Sequence, residues 1–339
     1  MIDSIIGKVS GGQSLGREEM TDVMNQIMDG QWRDEQIGLL LTGLRAKGES
    51  IEEVVGAAES LRKHMTRIQS PHATYLDTCG TGGDGTNTFN ISTASAIVTA
   101  AAGVPVAKHG NRAVSSKSGS SDVLTKLGVN INADVAQVER CLAETNICFC
   151  FAPLMHKSMK NVADVRRKLG VPTIFNMLGP LCNPAAAPHQ LLGVGRPELR
   201  PLLANALQRL GTKRSVVVCG EDGLDEVTIG SKSFVSLATE SGIEQIEWAP
   251  EDFGLERASK QELVIDGPDQ SAERIREILA GKAGPPRDVV VINVATALWI
   301  TGFSDDLRKC ADHAAEAIDS GKARELLAKL AEVSHEPAA

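Results

Sequence analysis

The stretch "DTCGTGGDGTNTFNIST", residues 77–93, decides how the chain is read. Within it, Gly80-Thr81-Gly82-Gly83-Asp84-Gly85 fits the pattern G-x-G-x-x-G. A strand candidate, "ATYLDT", runs into it, and "NISTASAIVTAAAG" follows with the spacing of a helix closed by Gly103. Glycines at such a turn accept positive φ and let a ligand approach the backbone. The helix start behind them offers unpaired N–H groups and the positive end of a dipole, so the site favours an anion, phosphate above all. Ser92 and Thr93 add hydroxyl donors in the first turn. The pattern alone is weak, because a glycine-rich turn with no ligand satisfies it equally.

A dinucleotide site makes a further demand: an acidic residue about 20 positions on, at the end of the next strand. Here that strand, "VPVAKHG", leads into Lys108 and Arg112 instead. The dinucleotide reading fails, and a G-x-x-x-x-G-K-[ST] nucleotide loop is absent as well. The segment "KHGNRAVSSKSGSS", residues 108–121, holds Lys108, Arg112 and Lys117 with five serines and no carboxylate. It reads as a positive, donor-rich second wall beside the glycine loop, at the strand ends where open α/β sheets gather ligands. A third segment, "CGEDGLDE", residues 219–226, follows another apolar strand and carries Glu221, Asp222, Asp225 and Glu226. Beside phosphate loops, such carboxylates suit Mg²⁺, which takes one or two of them and completes its shell with water and phosphate oxygens. A fourth, residues 156–185, sets Arg166 and Arg167 near a helix C-terminus, where a cation is favoured in any case. A guanidinium there also suits a substrate carboxylate. The apolar, turn-rich "NMLGPLCNP" suits a hinge or a loop closing over a ligand.

Outward from these segments the chain divides in two. Residues 1–70 read as all helix, with Ser50 and Glu53 forming a capping box, and Pro71 marks a boundary. Part of about 165–185 is expected to pack on this helical domain. Residues 71–339 alternate strands and helices, which predicts an α/β domain around a mainly parallel sheet. Residues 226–248 break that rhythm and predict a local antiparallel insertion, and residues 271–334 return to helix. At 339 residues the chain is long enough for one large domain or two.

The net charge of -8 and the 3% aromatic content argue against nucleic-acid or membrane-surface binding. No run approaches the ~20 apolar residues of a membrane span. The N-terminus lacks the pattern of a secretory signal, so a cytoplasmic location is expected. The seven cysteines lie mostly in apolar runs without a C-x-x-C pair and read as buried, reduced thiols.

Taken together and in order, "GTGGDGTNTFNIST", "KHGNRAVSSKSGSSDVLTKLG", "RRKLGVPTIFNMLGPLCNPA" and "GEDGLDE" resemble the anthranilate phosphoribosyltransferase family over nearly the whole chain. The resemblance implies a fold of nucleoside phosphorylase/phosphoribosyltransferase type, usually a homodimer. It implies transfer of the phosphoribosyl group of phosphoribosyl pyrophosphate to the amine of anthranilate, a step of tryptophan biosynthesis. The residues implied for phosphoribosyl pyrophosphate are Gly80, Gly83, Asp84, Thr88, Asn90, Ile91, Ser92, Thr93, Lys108, Ser115, Ser116 and Ser120. Those implied for anthranilate are Gly80, Asn111 and Arg166, the last through the carboxylate; those for Mg²⁺, as two ions, are Ser92, Asp225 and Glu226. No general base is evident, and His109 and His156 are expected to pack rather than to move protons. Pro172 and Met159 depart from the family pattern, where an arginine and an aromatic residue are common. Two other readings stand beside this one. A pyrimidine nucleoside phosphorylase would share "KHGNR…SKSGS", although "DGLDE" and "NIST" favour the pyrophosphate substrate. A non-catalytic nucleic-acid-binding relative would want a basic surface and a degraded metal motif, and this chain has neither.

Overall fold

The computed structural model describes residues 2–112 and 117–336. Four helices open the chain: α1 (Ile2–Ser10), α2 (Arg17–Met28), α3 (Asp34–Lys47) and α4 (Ile51–His64). Their limits follow local chemistry. The Ser50 hydroxyl accepts from the Glu53 N–H, and the Glu53 carboxylate accepts from the Ser50 N–H at 2.8 Å, closing the expected capping box. The same buried carboxylate accepts from the Leu15 N–H at 2.9 Å and pairs with Lys47 at 2.6 Å. One side chain thus starts α4 and ties it to the α1–α2 turn and to the end of α3.

The remainder builds one seven-stranded sheet from β1 (Leu76–Gly80), β2 (Val106–Gly110), β3 (Ile147–Phe151), β4 (His189–Gly193), β5 (Arg214–Gly220), β6 (Ser233–Thr239) and β7 (Gly242–Trp248). Its order is β3-β2-β1-β4-β5-β6-β7. The first five strands are parallel; β6 and β7 form the expected antiparallel insertion and extend the same sheet. The helices between and after the strands are α5 (Ile91–Ala101), α6 (Ser120–Lys126), α7 (Val135–Thr145), α8 (Ala152–Met155), α9 (Lys160–Leu169), α10 (Phe175–Leu178), α11 (Leu199–Arg209), α12 (Pro268–Leu279), α13 (Pro285–Ile300), α14 (Leu307–Asp319) and α15 (Lys322–His335).

Alternation along the strands separates two cores. On β5, Val216 and Val218 join the core under α5 and α13, whereas Val217 and Cys219 join the core shared with α1–α4. That second core also takes in Val162 and Val165 of α9 and the run Ile174–Cys182. The apolar "NMLGPLCNP" is therefore packed interior, not a loop free to close over a ligand; Phe175, Met177, Leu178, Pro180 and Leu181 are buried there. All seven cysteines are buried and unpaired. No helix among the described residues is long and apolar enough to cross a membrane.

The sheet's order reverses direction between β1 and β4, and there β1 and β2 also part. They pair at Leu76 and Val106 and then diverge toward their C-terminal ends. Side chains bridge the gap and satisfy the backbone groups it exposes. The Asp77 carboxylate accepts from the His109 N–H at 3.0 Å, Asn183 donates to the Ala107 carbonyl at 2.8 Å, and Lys108 Nζ donates to the Thr78 carbonyl at 2.5 Å.

Candidate active site

The splayed strand ends open onto two cavities. One, of about 270 Å³, is bounded by the glycine loop, the start of α5, the start of α6 and the acidic loop after β5. The loop leaves β1 at Gly80 and turns through Gly82, Gly83 and Gly85, at φ +64°, +82° and +70°. Such angles are open to glycine at little cost. Asn90 then caps α5, its Oδ1 accepting from the Thr93 N–H at 3.0 Å. A rear support holds the loop: Phe89 N–H donates to the Leu263 carbonyl at 2.9 Å and Ile265 N–H to the Asn87 carbonyl at 3.0 Å. Gly80, Asp84, Thr88, Asn90, Ile91, Ser92, Ser120, Asp225 and Glu226 all line this cavity, as does Asn111.

Three expected contacts sit differently. Gly83 is on the outer part of the turn and Thr93 is fully buried, so neither lines the cavity. Lys108, read in the sequence as part of a positive surface, is only 3% exposed. Its ammonium stands behind Ser92, donating to Ser92 Oγ at 3.1 Å. Lys117, from the same segment, is exposed and pairs with Asp266 at 3.2 Å. Ser115 and Ser116 lie outside the described residues.

Only two of the four carboxylates in "GEDGLDE" face the cavity. Asp222 serves its own turn, accepting from Thr228 Oγ1 at 2.8 Å, and Glu221 is exposed. Asp225 and Glu226 point inward, and burial makes their charged forms costly. Burial and the neighbouring Asp84 push Asp225 up to about 8. Burial and Asp225 push Glu226 well above the ordinary carboxylate range, against the pull of Lys108. Burial lowers Lys108, while Asp77 raises it. Two crowded carboxylates of one sign, with the Ser92 hydroxyl in the same wall, are the hard-oxygen donor set that a small divalent cation suits. Among the described residues, no three His, Cys, Asp or Glu side chains come close enough to enclose a cation alone. A cation here would complete its shell from water or from a ligand's oxygens.

The second cavity, of about 420 Å³, is larger and mostly apolar. It lies between α4, α8, α9 and α10, with Leu61, Pro153, Met159, Phe175 and Cys182 in its walls. Arg166 reaches into it from α9, its guanidinium 5.4 Å from the centre of the Phe175 ring. Burial lowers its pKa from a very high starting value, so it stays a cation. Arg167, its neighbour in sequence, points outward and pairs with Asp164 at 2.8 Å. His109 and His156 form the floor, Nε2 to Nε2 at 3.2 Å. The Gly179 carbonyl, 3.1 Å from His109 Nδ1, accepts from that nitrogen. Burial, reinforced by His156, holds His109 down at about 3, and burial holds His156 at about 4. Both rings are neutral near pH 7, which leaves Arg166 as the deep cation. Asn111 lines both cavities.

The architecture has known counterparts. The helical bundle domain of a glycosyl transferase family matches residues 3–65, and the a/b domain of that family matches residues 72–324. An anthranilate phosphoribosyltransferase of Rhodopirellula baltica is 49% identical over 95% of this chain and 94% of its own. The chain belongs to the anthranilate phosphoribosyltransferase family. It is accordingly an enzyme of the glycosyltransferase class. The anthranilate phosphoribosyltransferase of Thermus thermophilus superposes with a TM-score of 0.92 at 38% identity, covering 98% of this chain and 99% of that one. The enzyme of Saccharomyces cerevisiae, in complex with PRPP and Mg, superposes with a TM-score of 0.90 at 28% identity, covering 98% and 97%. The nucleoside-phosphorylase and nucleic-acid-binding readings are not favoured by these relatives.

Against the anthranilate phosphoribosyltransferase motifs, sequence reasoning missed two kinds of residue. The first is a pair of glycines after β4. A Cβ on Gly193 would overlap the Asp225 carbonyl, and one on Gly195 would stand 2.8 Å from the Asp84 backbone. They let the acidic loop and the glycine loop close on the same strand end. The signal was present as G-V-G at a strand terminus, but it carries no polar atom to draw attention. The second kind is the apolar cavity wall: Leu61, Pro153, Phe175 and Cys182 come from distant segments and look like ordinary core in sequence. Arg112 also lines the polar cavity, with its guanidinium 5.9 Å from the Phe151 ring.

Proposed function

We propose that this chain transfers the phosphoribosyl group of phosphoribosyl pyrophosphate to the amine of anthranilate, giving N-(5-phosphoribosyl)anthranilate and pyrophosphate, the second step of tryptophan biosynthesis from chorismate. The observation that carries the reading is the meeting at Asn111 of two cavities with opposite chemistry. The polar one suits a pyrophosphate: the backbone of Gly80, Thr88 and Ile91, the side chains of Asn90, Ser92 and Ser120, and the positive end of α5 converge on it. Lys108 acts from behind Ser92 by its charge. The apolar one suits a flat aromatic acid, with Arg166 for the carboxylate and Phe175 for the ring. Anthranilate so placed would turn its amine toward Asn111 and the ribose carbon.

Ser92, Asp225 and Glu226 would hold Mg²⁺, as two ions, with Asp84 beside them. When bound, Mg²⁺ supplies positive charge for the leaving pyrophosphate. The residues themselves orient the two substrates and offer N–H groups where negative charge grows as the C1–oxygen bond breaks. The neutral His109–His156 pair shapes the acceptor cavity. Residues 1–70 form a helical domain, with part of about 165–185 packing on it, and residues 71–339 form the α/β catalytic domain that binds phosphoribosyl pyrophosphate. The working form is a homodimer in the cytoplasm. Leu39, 55% exposed on α3, is an apolar side chain that such a dimer would cover.

The assay is direct. Purified protein with anthranilate, phosphoribosyl pyrophosphate and Mg²⁺ should consume anthranilate, followed by loss of its fluorescence. No Mg²⁺-dependent loss would sink the reading. Sedimentation at micromolar concentration tests the dimer, and a monomer would remove it.

A further inference from the structure

The charges that line the apolar cavity carry one sign. Lys157, Lys160 and Arg166 are present, and no Asp or Glu lines it. Lys157 and Lys160 are exposed, so they stand at the opening, while Arg166 sits deeper. Neither lysine has an ion-pair partner among the described residues. Of the acidic side chains on α9 and at the start of α3, Asp164 pairs with Arg167 at 2.8 Å and Asp34 with Lys168 at 2.9 Å, while Glu35 is exposed. This matters because the whole chain carries a net charge of -8 and its far field repels an anion. An aromatic acid approaching the enzyme meets that far-field repulsion, and a locally positive opening offsets it. A low-dielectric cleft with charges of one sign focuses the field along its axis.

We propose that Lys157 and Lys160 are steering residues that draw the carboxylate of the aromatic acceptor into the apolar cavity and deliver it to Arg166, raising its capture without touching the reacting atoms. The proposal rests on the function set out above. It gives the two ends of one path: an exposed pair that acts at range, and a half-buried guanidinium that holds the acid inside the cavity.

The test is the salt dependence of acceptor kinetics at saturating Mg²⁺ and phosphoribosyl pyrophosphate. Screening lengths shrink from about 30 Å at 0.01 M salt to about 3 Å at 1 M, so steering fades across that range while a short contact survives. The Lys157→Gln/Lys160→Gln variant should lose about 5- to 20-fold in kcat/KM for anthranilate at 0.01 M ionic strength. At 0.5 M it should come within about twofold of the parent, its loss lying in KM rather than kcat. Lys157→Arg/Lys160→Arg keeps the charge and should retain the parent's kinetics at both salts. A Gln variant equal to the parent at low salt overturns the proposal. So does a loss of equal size at both salts, a loss in kcat alone, or failure of the Arg variant to restore capture. A parent enzyme that consumes no anthranilate at all would instead overturn the functional reading beneath it.

Discussion

The cavity beside the glycine loop and the cavity beneath α9 share a wall at Asn111 but are made of different material. The first is mostly loop backbone, hydroxyls and carboxylates gathered where strands end; it recognises charge with fixed dipoles and hard oxygens. The second is mostly side-chain surface gathered from helices, and it suits recognition by shape, with one half-buried cation, Arg166. The difference teaches how each should fail. Damage to the first should fall on a single ionic substrate, whereas damage to the second should be graded by the contact removed.

The largest expected effect is on the polar side. Asp225→Asn with Glu226→Gln should lower kcat/KM for phosphoribosyl pyrophosphate by about 10³-fold, because charge stabilisation on the leaving group is lost. The same variant should be no less stable to heat in the absence of Mg²⁺, since burial and crowding already favour the neutral acids there, and the amides replace them with neutral groups of similar shape. A variant that loses stability instead would mean these carboxylates are structural. Next, Arg166→Ala should raise KM for anthranilate by about 10- to 100-fold, as expected for a lost charge-assisted bond of about 1.5–3 kcal/mol. KM for phosphoribosyl pyrophosphate should stay within about twofold, and equal damage to both substrates would break the division between the cavities.

Gly193→Ala tests the joint that sets the two loops together. Its Cβ would land on the Asp225 carbonyl, so a loss of about 1–3 kcal/mol in unfolding free energy is expected, read by denaturant titration. The smallest effect concerns the histidine floor. His109 and His156 have folded values of about 3 and 4, below the unfolded value of about 6.5. The unfolded chain therefore binds protons first as pH falls; their contribution is full above about pH 6.5 and erodes toward pH 4. A His109→Asn/His156→Asn variant should lose about 1–2 kcal/mol per histidine less than the parent between pH 7 and pH 5. The raised carboxylates act with the opposite sign, but both proteins contain them. Equal slopes would mean that the histidines titrate normally.

The same contrast explains what could be read in advance. The polar site is written in contiguous runs, each placed after a strand by a turn that needs glycine, so residues 77–93, 108–121 and 219–226 disclosed their positions and their chemistry. The parallel sheet and its antiparallel extension followed from the strand spacing. Lys108 was misjudged as surface because a buried ammonium and an exposed one look alike in sequence; its burial depends on β1 and β2 parting, a property of the sheet. "NMLGPLCNP" reads as a hinge or a closing loop because turn residues in an apolar run fit those as well as a packed connection; the burial of its apolar side chains removes the free loop. The acceptor cavity was the least legible. Its walls come from residues 61, 109–111 and 152–182, brought together by tertiary packing; the residues alone pointed to Arg166 or Arg167, and the resemblance to a family chose Arg166.

Asn111 gives the molecule a thermodynamic obligation. A residue that belongs to both cavities cannot respond to one occupant without altering what the other encounters. Whatever free energy the pyrophosphate substrate gains from the acceptor's presence, the acceptor gains from the pyrophosphate substrate, in equal measure and with equal sign. The two dissociation constants are therefore linked as a pair. A substitution at Asn111 would register as a change of coupling, in the dissociation constant of one substrate measured with the other bound, even where each measured alone binds as before.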